Sequence, residues 1–235
     1  EYTVRCRVRV EIKGFEVPRR KSALMTVVAF DFDGTLSDSE MTVLLGDQCG
    51  VADQMNDITE RAMNDEIEYA ESLRQRCALL EELDDEKAQA AFDQVVLRPG
   101  GADVIRDLRD AGIYVAIVTG GFERGVTAAL EKEGVEVDAI VANRLPVADG
   151  KLTGEVEGPL IEGTKDDALE VLTAVVGEDR EDTIAVGDGA NDLPMLEVAG
   201  LAVGFDPKPN VAPSCEIIVE TMDELQAVLT DENVL

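Results

Sequence analysis

The stretch Val28-Ala29-Phe30-Asp31-Phe32-Asp33-Gly34-Thr35-Leu36 joins an apolar run to two aspartates and a glycine. Residues 27–30 are continuously apolar and Gly34 interrupts the pattern, which predicts a short buried strand ending at the aspartates. In an open parallel sheet, ligands bind at the carboxyl ends of the strands. Two carboxylates at that edge repel each other unless a cation is present, and their oxygens suit Mg²⁺. An Asp-Gly turn without chemistry is the alternative that this stretch alone leaves open.

Strand and helix patterns alternate along most of the remaining chain, which predicts an α/β fold with a doubly wound parallel sheet. Predicted strands cover 26–31, 113–119, 138–142, 183–187, 201–205 and 216–219, and predicted helices cover 101–111, 122–133, 164–176, 190–199 and 222–229. The segment 40–97 shows helical patterns only, at 40–48, 52–64, 66–82 and 85–96. We therefore expect a core domain at 25–39 and 98–235 and a small helical cap at 40–97, inserted after the first core strand. Asp149-Gly150 predicts a tight hairpin turn.

Residues 1–24 differ from the rest of the chain in charge. They hold seven basic and three acidic residues, a net charge of +4, whereas the remainder carries −33. Three interpretations are open: an added hairpin, a basic interaction arm, or sequence translated from upstream of a start at Met25. We favour the last because Met25 directly precedes the first core strand, although the charge asymmetry fits all three.

The whole chain is strongly acidic, with a net charge of −29 over 235 residues. This charge argues against nucleic acid and anionic membrane surfaces as partners, because both attract basic proteins. It suits a cytoplasm of high salt concentration, where ions screen the self-repulsion; an acidic mesophilic enzyme is the alternative. The absence of histidine excludes a histidine-based triad. The four scattered cysteines indicate reduced thiols in a cytoplasmic protein: Cys6, Cys49, Cys77 and Cys215.

Three further motifs follow the first stretch in order: Val118-Thr119-Gly120-Gly121, then Lys165, then Gly187-Asp188-Gly189-Ala190-Asn191-Asp192. Together the four motifs resemble the set of the haloacid dehalogenase superfamily, over residues 26 to about 220. Within it, the chain most resembles the phosphoserine phosphatase family. Glu40 and three segments support the narrower resemblance: Ser72-Leu73-Arg74-Gln75-Arg76, Gly120-Gly121-Phe122 and Ala142-Asn143-Arg144-Leu145.

The resemblance implies a role for each motif aspartate. Asp31 matches the nucleophile, and Asp33 matches the general acid that protonates the leaving oxygen and later deprotonates water. Mg²⁺ is the implied cofactor, held by Asp31, Asp188 and the backbone carbonyl of Asp33. Asp192 is expected to support the waters of the metal.

The phosphate group is expected at the end of the second motif strand, where a hydroxyl and free amides suit a phosphate oxygen. The implied contacts are Thr119, Gly120, Lys165 and Asn191, and Lys165 also stabilises the nucleophile. The family usually has serine at the first of these positions. Thr119 keeps the hydroxyl and adds a methyl group, which puts the fit and the rate in question.

The resemblance also implies the substrate, free O-phospho-L-serine, and a place at the end of serine biosynthesis. Arg76 can hold its carboxylate with two hydrogen bonds, and Glu40 can hold its ammonium group. Tyr69 lies two helical turns before Arg76, so both side chains can face the site. Two other functions remain open: a phosphatase or phosphotransferase acting on another small phosphate ester, and a phosphate-dependent binding or regulatory protein. A homodimer is also left open.

Overall fold

A computed structural model describes the protein over residues 26–63 and 66–235. The predicted extension at 1–24 and the predicted start at Met25 lie outside the described residues. The strands are β1 (Val27–Phe30), β2 (Tyr114–Phe122), β3 (Ala139–Asn143), β4 (Val147–Ala148), β5 (Lys151–Leu152), β6 (Thr183–Gly187), β7 (Leu201–Phe205) and β8 (Ile217–Val219). Six of them form a parallel sheet in the order β3-β2-β1-β6-β7-β8, and β4 and β5 form the predicted hairpin. Because β1 pairs in parallel with both β2 and β6, their carboxyl ends share one edge.

Helices cover both faces of this sheet, as the alternation predicted. They are α1 (Met41–Asp47), α2 (Ala52–Met63), α3 (Tyr69–Ala78), α4 (Asp85–Phe92), α5 (Gly101–Asp110), α6 (Glu123–Glu133), α7 (Lys165–Val176), α8 (Leu193–Leu196) and α9 (Met222–Asp231). Buried side chains of α5, α6 and α9 pack with Val28 and Phe30 in one apolar cluster. Those of α7 and α8 pack with Ala29 in another. The doubly wound α/β prediction is therefore confirmed.

The sheet face under α7 is lined by small side chains. Ala116, Ala29, Ala185 and Ala202 stand in register on four adjacent strands and are all buried. Short side chains let a helix pack close to a sheet, since close packing fills the interior without voids. Because α7 packs close to this face, its first residue, Lys165, lies near the strand ends.

Helices α1 to α4 lie between β1 and α5 in the chain, within the predicted cap segment; the domain boundaries themselves stay a prediction. The predicted helix over 66–82 is too long, because α3 ends at Ala78. The chain after it pairs with the hairpin instead: Glu82 N–H donates to the Leu152 carbonyl at 3.0 Å, and Leu152 N–H donates to Leu83 at 2.9 Å. Backbone groups bonded to the hairpin are unavailable to extend α3.

A cluster around Arg124 joins α4 to α6. Its guanidinium donates to Asp85 Oδ1 at 2.6 Å and to Gln89 Oε1 at 2.7 and 3.0 Å. It also lies over the Phe92 ring, 5.1 Å from the ring centre. These contacts fasten α4 to the core, while Met41 of α1 and Tyr69 of α3 contact the end of β2.

Two predicted boundaries near the strand ends need correction. β2 continues past Thr119 to Phe122, with a register shift between these residues. The predicted helix at 190–199 is a 3₁₀ turn at Ala190–Asp192 followed by the four-residue α8. Across the described ranges, no helix is both long and apolar enough to cross a membrane.

Candidate active site

The loop after β1 carries the first two aspartates. Asp31 N–H donates to the Val186 carbonyl at 2.8 Å, so this residue extends the sheet pairing, and its side chain is almost fully buried. The chain then turns sharply at Gly34, whose φ is +93°. A Cβ at Gly34 would lie 2.6–2.7 Å from the carboxylate of Asp188. Both the left-handed backbone and this close approach require glycine.

Lys165 connects the loop after β1 with the loop after β6. Its ammonium donates to Asp31 Oδ1 and to Asp192 Oδ1, each at 2.5 Å, and the side chain is only 2 % exposed. Burial alone would lower the pKa of Lys165, but the Asp192 and Asp31 carboxylates outweigh burial and raise it. A permanent positive charge therefore lies beside Asp31.

Asp192 organises the loop that follows β6. Its Oδ2 accepts hydrogen bonds from the N–H groups of Asp188 and Gly189, both at 2.9 Å. A Cβ at Gly187 would lie 2.6 Å from the Asp192 carboxylate. These bonds fold the loop into a 3₁₀ turn, which is the physical reason that a longer helix does not begin here. The structure shows Asp192 bonded to Lys165 and to the loop backbone; its predicted role toward metal-bound water stays a prediction.

Three carboxylates meet at this edge of the sheet. One oxygen each from Asp31, Asp188 and Asp192 lies within 4.8 Å of the others. Burial raises the pKa of Asp31, and the Asp192 carboxylate raises it further against the opposing effect of Lys165. Burial likewise raises the pKa of Asp188. A cation would relieve this repulsion, and a set of carboxylate oxygens is the donor type that Mg²⁺ prefers. The residues present therefore fit the implied metal.

Asp33 stands in a different environment from Asp31. Its Oδ1 is buried and finds no hydrogen-bond partner among the residues that the structure describes. A Cβ on Gly121 would lie 2.7 Å from its Oδ2. Burial raises the pKa of Asp33 well above its usual value, and the charges of Glu40 and Asp31 add to this effect. Asp33 is thus held in its protonated form to a higher pH than an ordinary carboxyl group, which suits a proton donor.

The end of β2 places Thr119 and Gly120 at the same edge. Thr119 is buried, and its Oγ1 accepts a hydrogen bond from the Gly121 N–H at 2.9 Å. The Gly120 carbonyl accepts from Asn143 Nδ2 at 3.0 Å. Asn143 Oδ1 in turn accepts from the Leu160 N–H at 3.0 Å. The fully buried side-chain amide of Asn143 therefore holds the Gly120 peptide in place.

The residues predicted to recognise the substrate are less tightly grouped. Arg76 is 9 % exposed and donates to Thr42 Oγ1 at 3.2 Å. Its charge acts on Asp33 and on Glu40, the residue before α1; burial raises the pKa of the Glu40 carboxyl group and Arg76 opposes this rise. Asn191 makes a long contact, 3.5 Å from its Nδ2 to Asp192 Oδ1. The structure thus brings Arg76 and Glu40 toward the aspartates, and each has hydrogen-bonding groups that can contact a ligand.

The sequence did not predict a site role for Lys208 or Asn143. Lys208 Nζ donates to Asp188 Oδ2 at 2.8 Å, and its N–H donates to the Asp188 carbonyl at 2.9 Å. Two signals could have indicated it: Lys208 is one of five lysines after residue 24, and it follows the end of a core strand. Asn143 directly follows the strand predicted at 138–142, but nothing in the sequence links it to Gly120.

Comparisons with known proteins identify the relatives of this chain. A family model described as haloacid dehalogenase-like hydrolase matches residues 28–197. A phosphoserine phosphatase from Halobacterium salinarum is 51 % identical over 210 residues, which are 89 % of this chain and 100 % of that protein. A phosphoserine phosphatase from Methanocaldococcus jannaschii is 39 % identical over 198 residues, 84 % of this chain and 93 % of that protein.

Solved structures show the same likeness. A phospho-aspartyl intermediate analogue of phosphoserine phosphatase matches with a TM-score of 0.80 and 38 % identity, covering 88 % of this chain and 98 % of that one. A substrate-bound phosphoserine phosphatase complex matches with a TM-score of 0.80 and 38 % identity, covering 87 % and 97 %. The similarity therefore extends over the core and the inserted helices alike.

Proposed function

Because this chain belongs to the haloacid dehalogenase-like hydrolases and, within them, to the phosphoserine phosphatase family, we propose that it hydrolyses O-phospho-L-serine with Mg²⁺ through an aspartyl phosphate. The observation that carries the mechanism is the buried Lys165, which bridges Asp31 and Asp192 beside Asp188. A buried ammonium between carboxylates is costly to form. Its position at the strand ends favours a role in binding an anionic group.

In the first half of the reaction, Asp31 attacks the phosphorus. One Asp31 carboxylate oxygen forms a bond to phosphorus while the bond from phosphorus to the serine oxygen breaks. Asp33, whose pKa is raised by burial, gives its proton to the leaving serine oxygen. Lys165 stays charged and offsets the negative charge that develops on the phosphoryl group.

In the second half, Asp33 acts as a base. Its carboxylate takes a proton from water, the water oxygen bonds to phosphorus, and the bond from phosphorus to Asp31 breaks. Phosphate leaves, and both aspartates return to their starting forms. Mg²⁺, held by Asp31, Asp188 and the Asp33 carbonyl, would supply positive charge beside the nucleophile and the phosphoryl group.

Substrate choice follows from the charges of the inserted helices. Arg76 places a guanidinium near the site and can bind the serine carboxylate, while the exposed Glu40 can bind the ammonium. Thr119 and the amide of Gly120 face the phosphate from the core side, and Asn191 adds an amide at the turn after β6. These groups together match the three charged parts of phosphoserine. The partner that we propose is this small molecule, and the homodimer stays a prediction.

We also propose that the enzyme works in a salt-rich cytoplasm. The net charge of −29 and the 51 % identity to a relative from the halophile Halobacterium salinarum support this setting. Free thiols at Cys49, Cys77 and Cys215 support a reducing compartment. Salt screens surface repulsion, so the melting temperature should rise when KCl is increased from low to molar concentration. A melting temperature that falls with KCl would contradict the halophilic proposal.

A substrate panel tests the proposed activity. Phosphate release is measured from phosphoserine, phosphothreonine, sugar phosphates and nucleotides, with Mg²⁺ present and at high KCl concentration. We expect kcat/KM for phosphoserine to exceed that for every other ester. Asp31→Asn should abolish turnover because an amide cannot attack phosphorus, while the matched control Asp38→Asn, at an exposed position, should not. A different preferred ester would overturn the substrate assignment.

A further inference from the structure

The Tyr69 side chain reaches from the inserted helices to the phosphate loop of the core. Tyr69 is the first residue of α3 and lies seven residues before Arg76, on the same face of the helix. A Cβ added to Gly120 would overlap the Tyr69 hydroxyl oxygen and would lie 3.1 Å from the ring carbon that bears it. The hydroxyl therefore lies directly against the peptide that is predicted to bind phosphate.

Charged groups of both signs surround this hydroxyl. Lys165 and Arg76 act on it as positive charges, and Asp31 and Asp192 act as negative charges. Burial raises the pKa of Tyr69 to about 12, so the hydroxyl keeps its proton and can donate a hydrogen bond throughout the neutral range. The backbone groups beside this hydroxyl have other partners: the Gly120 carbonyl accepts from Asn143 Nδ2 and the Gly121 N–H donates to Thr119 Oγ1, so neither of these bonds involves Tyr69. The Tyr69 hydroxyl is therefore a hydrogen-bond donor in the site that can bond to a ligand.

We propose that Tyr69 is a substrate-binding residue whose hydroxyl donates a hydrogen bond to the phosphoryl group and so closes the site from the side of the inserted helices. This inference rests on the proposed function, because it takes the ligand to be a phosphate ester. An anionic oxygen is the acceptor that fits best, since the neighbouring Lys165 and Arg76 already favour negative charge there. The contact also gives a reason for glycine at 120: any side chain at that position would displace the hydroxyl.

The phosphoryl group, rather than the serine portion, is the favoured acceptor. Thr119 and Gly120 lie near the end of β2, where the phosphate is expected, and the hydroxyl lies against Gly120. The serine carboxylate is assigned to Arg76, two helical turns farther along α3. Removing the hydroxyl should therefore weaken the binding of every phosphate-bearing ligand by a similar factor.

Tyr69→Phe removes only the hydroxyl oxygen and keeps the ring in place. Inorganic phosphate serves as the probe, with its affinity measured by calorimetry on the Mg²⁺-loaded protein and by competitive inhibition. The KM and kcat for phosphoserine and for p-nitrophenyl phosphate are measured alongside. Tyr114→Phe is the matched control, because Tyr114 lies at the opposite, amino-terminal end of β2.

We expect Tyr69→Phe to weaken phosphate binding and to raise both KM values by the same factor, on the order of tenfold, as for a hydrogen bond to a charged acceptor. The kcat values should change less, because the contact exists in the ground state as well. Tyr114→Phe should change none of these quantities. Unchanged phosphate affinity in Tyr69→Phe would overturn the proposal. So would a higher KM for phosphoserine alone, which would assign the hydroxyl to the serine portion.

These outcomes are separable from a failure of the proposed function. If the wild-type protein hydrolyses p-nitrophenyl phosphate but not phosphoserine, the substrate assignment falls. The comparison of phosphate affinities between wild type and Tyr69→Phe still decides the role of the hydroxyl.

Discussion

Replacing Lys165 by methionine should destabilise the protein as well as inactivate it. The substitution removes the ammonium and both 2.5 Å hydrogen bonds, while Asp31 and Asp192 stay buried. Breaking a buried ion pair by removing one partner costs about 3–5 kcal/mol, because a buried charge is left uncompensated. The side chain is 2 % exposed, so solvent does not screen this loss. We therefore expect the free energy of unfolding to fall by about 3–5 kcal/mol at pH 7.

Urea denaturation at fixed KCl concentration measures this effect, and Lys87→Met is the matched control. Lys87 pairs with Asp84 at 3.6 Å on the surface, with 58 % of its side chain exposed, so its loss should cost less than about 1 kcal/mol. An equal, small loss in both variants would refute the reasoning.

The loss in Lys165→Met should also depend on pH. Lys165 opposes the rise in the pKa of Asp31, so removing it raises that pKa further. A raised carboxyl pKa destabilises the fold only where the group is ionised in the unfolded chain. As pH falls through the raised pKa toward the ordinary value near 4, Asp31 becomes protonated and the penalty fades. The difference between wild type and Lys165→Met should therefore shrink on acidification.

Three further perturbations test separate parts of the site. Arg76→Ala should raise the KM for phosphoserine about tenfold or more, while the KM for p-nitrophenyl phosphate should change little. The control is Arg74→Ala, in an exposed ion pair with Glu162, which should change neither KM. Equal losses on both substrates in Arg76→Ala would show that the role of Arg76 is structural. Chelation should abolish activity and lower the melting temperature, and Mg²⁺ should restore both; full activity in chelator would remove the metal from the mechanism. Gly34→Ala should inactivate because its Cβ would strike the Asp188 carboxylate, whereas Gly50→Ala, with a φ of +74° but open space around it, should cost stability alone. An active Gly34→Ala would contradict the close approach of this loop to Asp188.

The core of the fold was predictable because its elements carry local signals. Apolar runs marked the strands, and their alternation with helical patterns indicated the parallel sheet. The aspartates after β1 and β6 could be placed at one edge because the carboxyl ends of parallel strands share it, whereas Lys165 was predicted there from the family resemblance. The resemblance to the four-motif set thus indicated which motifs meet, although not how they bond.

Errors arose where a tertiary contact replaced a local preference. The chain at 79–82 keeps a helical pattern, but Glu82 and the following Leu83 bond to the β4–β5 hairpin. The loop at 188–192 bonds to the Asp192 side chain in place of helical carbonyls. The contacts of Asn143 with Gly120, of Lys208 with Asp188 and of Tyr69 with Gly120 join residues from different elements, so no pattern within one element could show them.

Trapping the phosphorylated enzyme tests the central claim most directly. The protein is mixed with phosphoserine labelled in the phosphoryl group, quenched in acid within a single turnover, digested and sequenced by mass spectrometry. The mechanism predicts a transient phosphoryl group on Asp31, formed and lost at rates compatible with kcat and absent from Asp31→Asn. Turnover with no phosphorylated residue, or with the phosphoryl group on a residue other than Asp31, would contradict it.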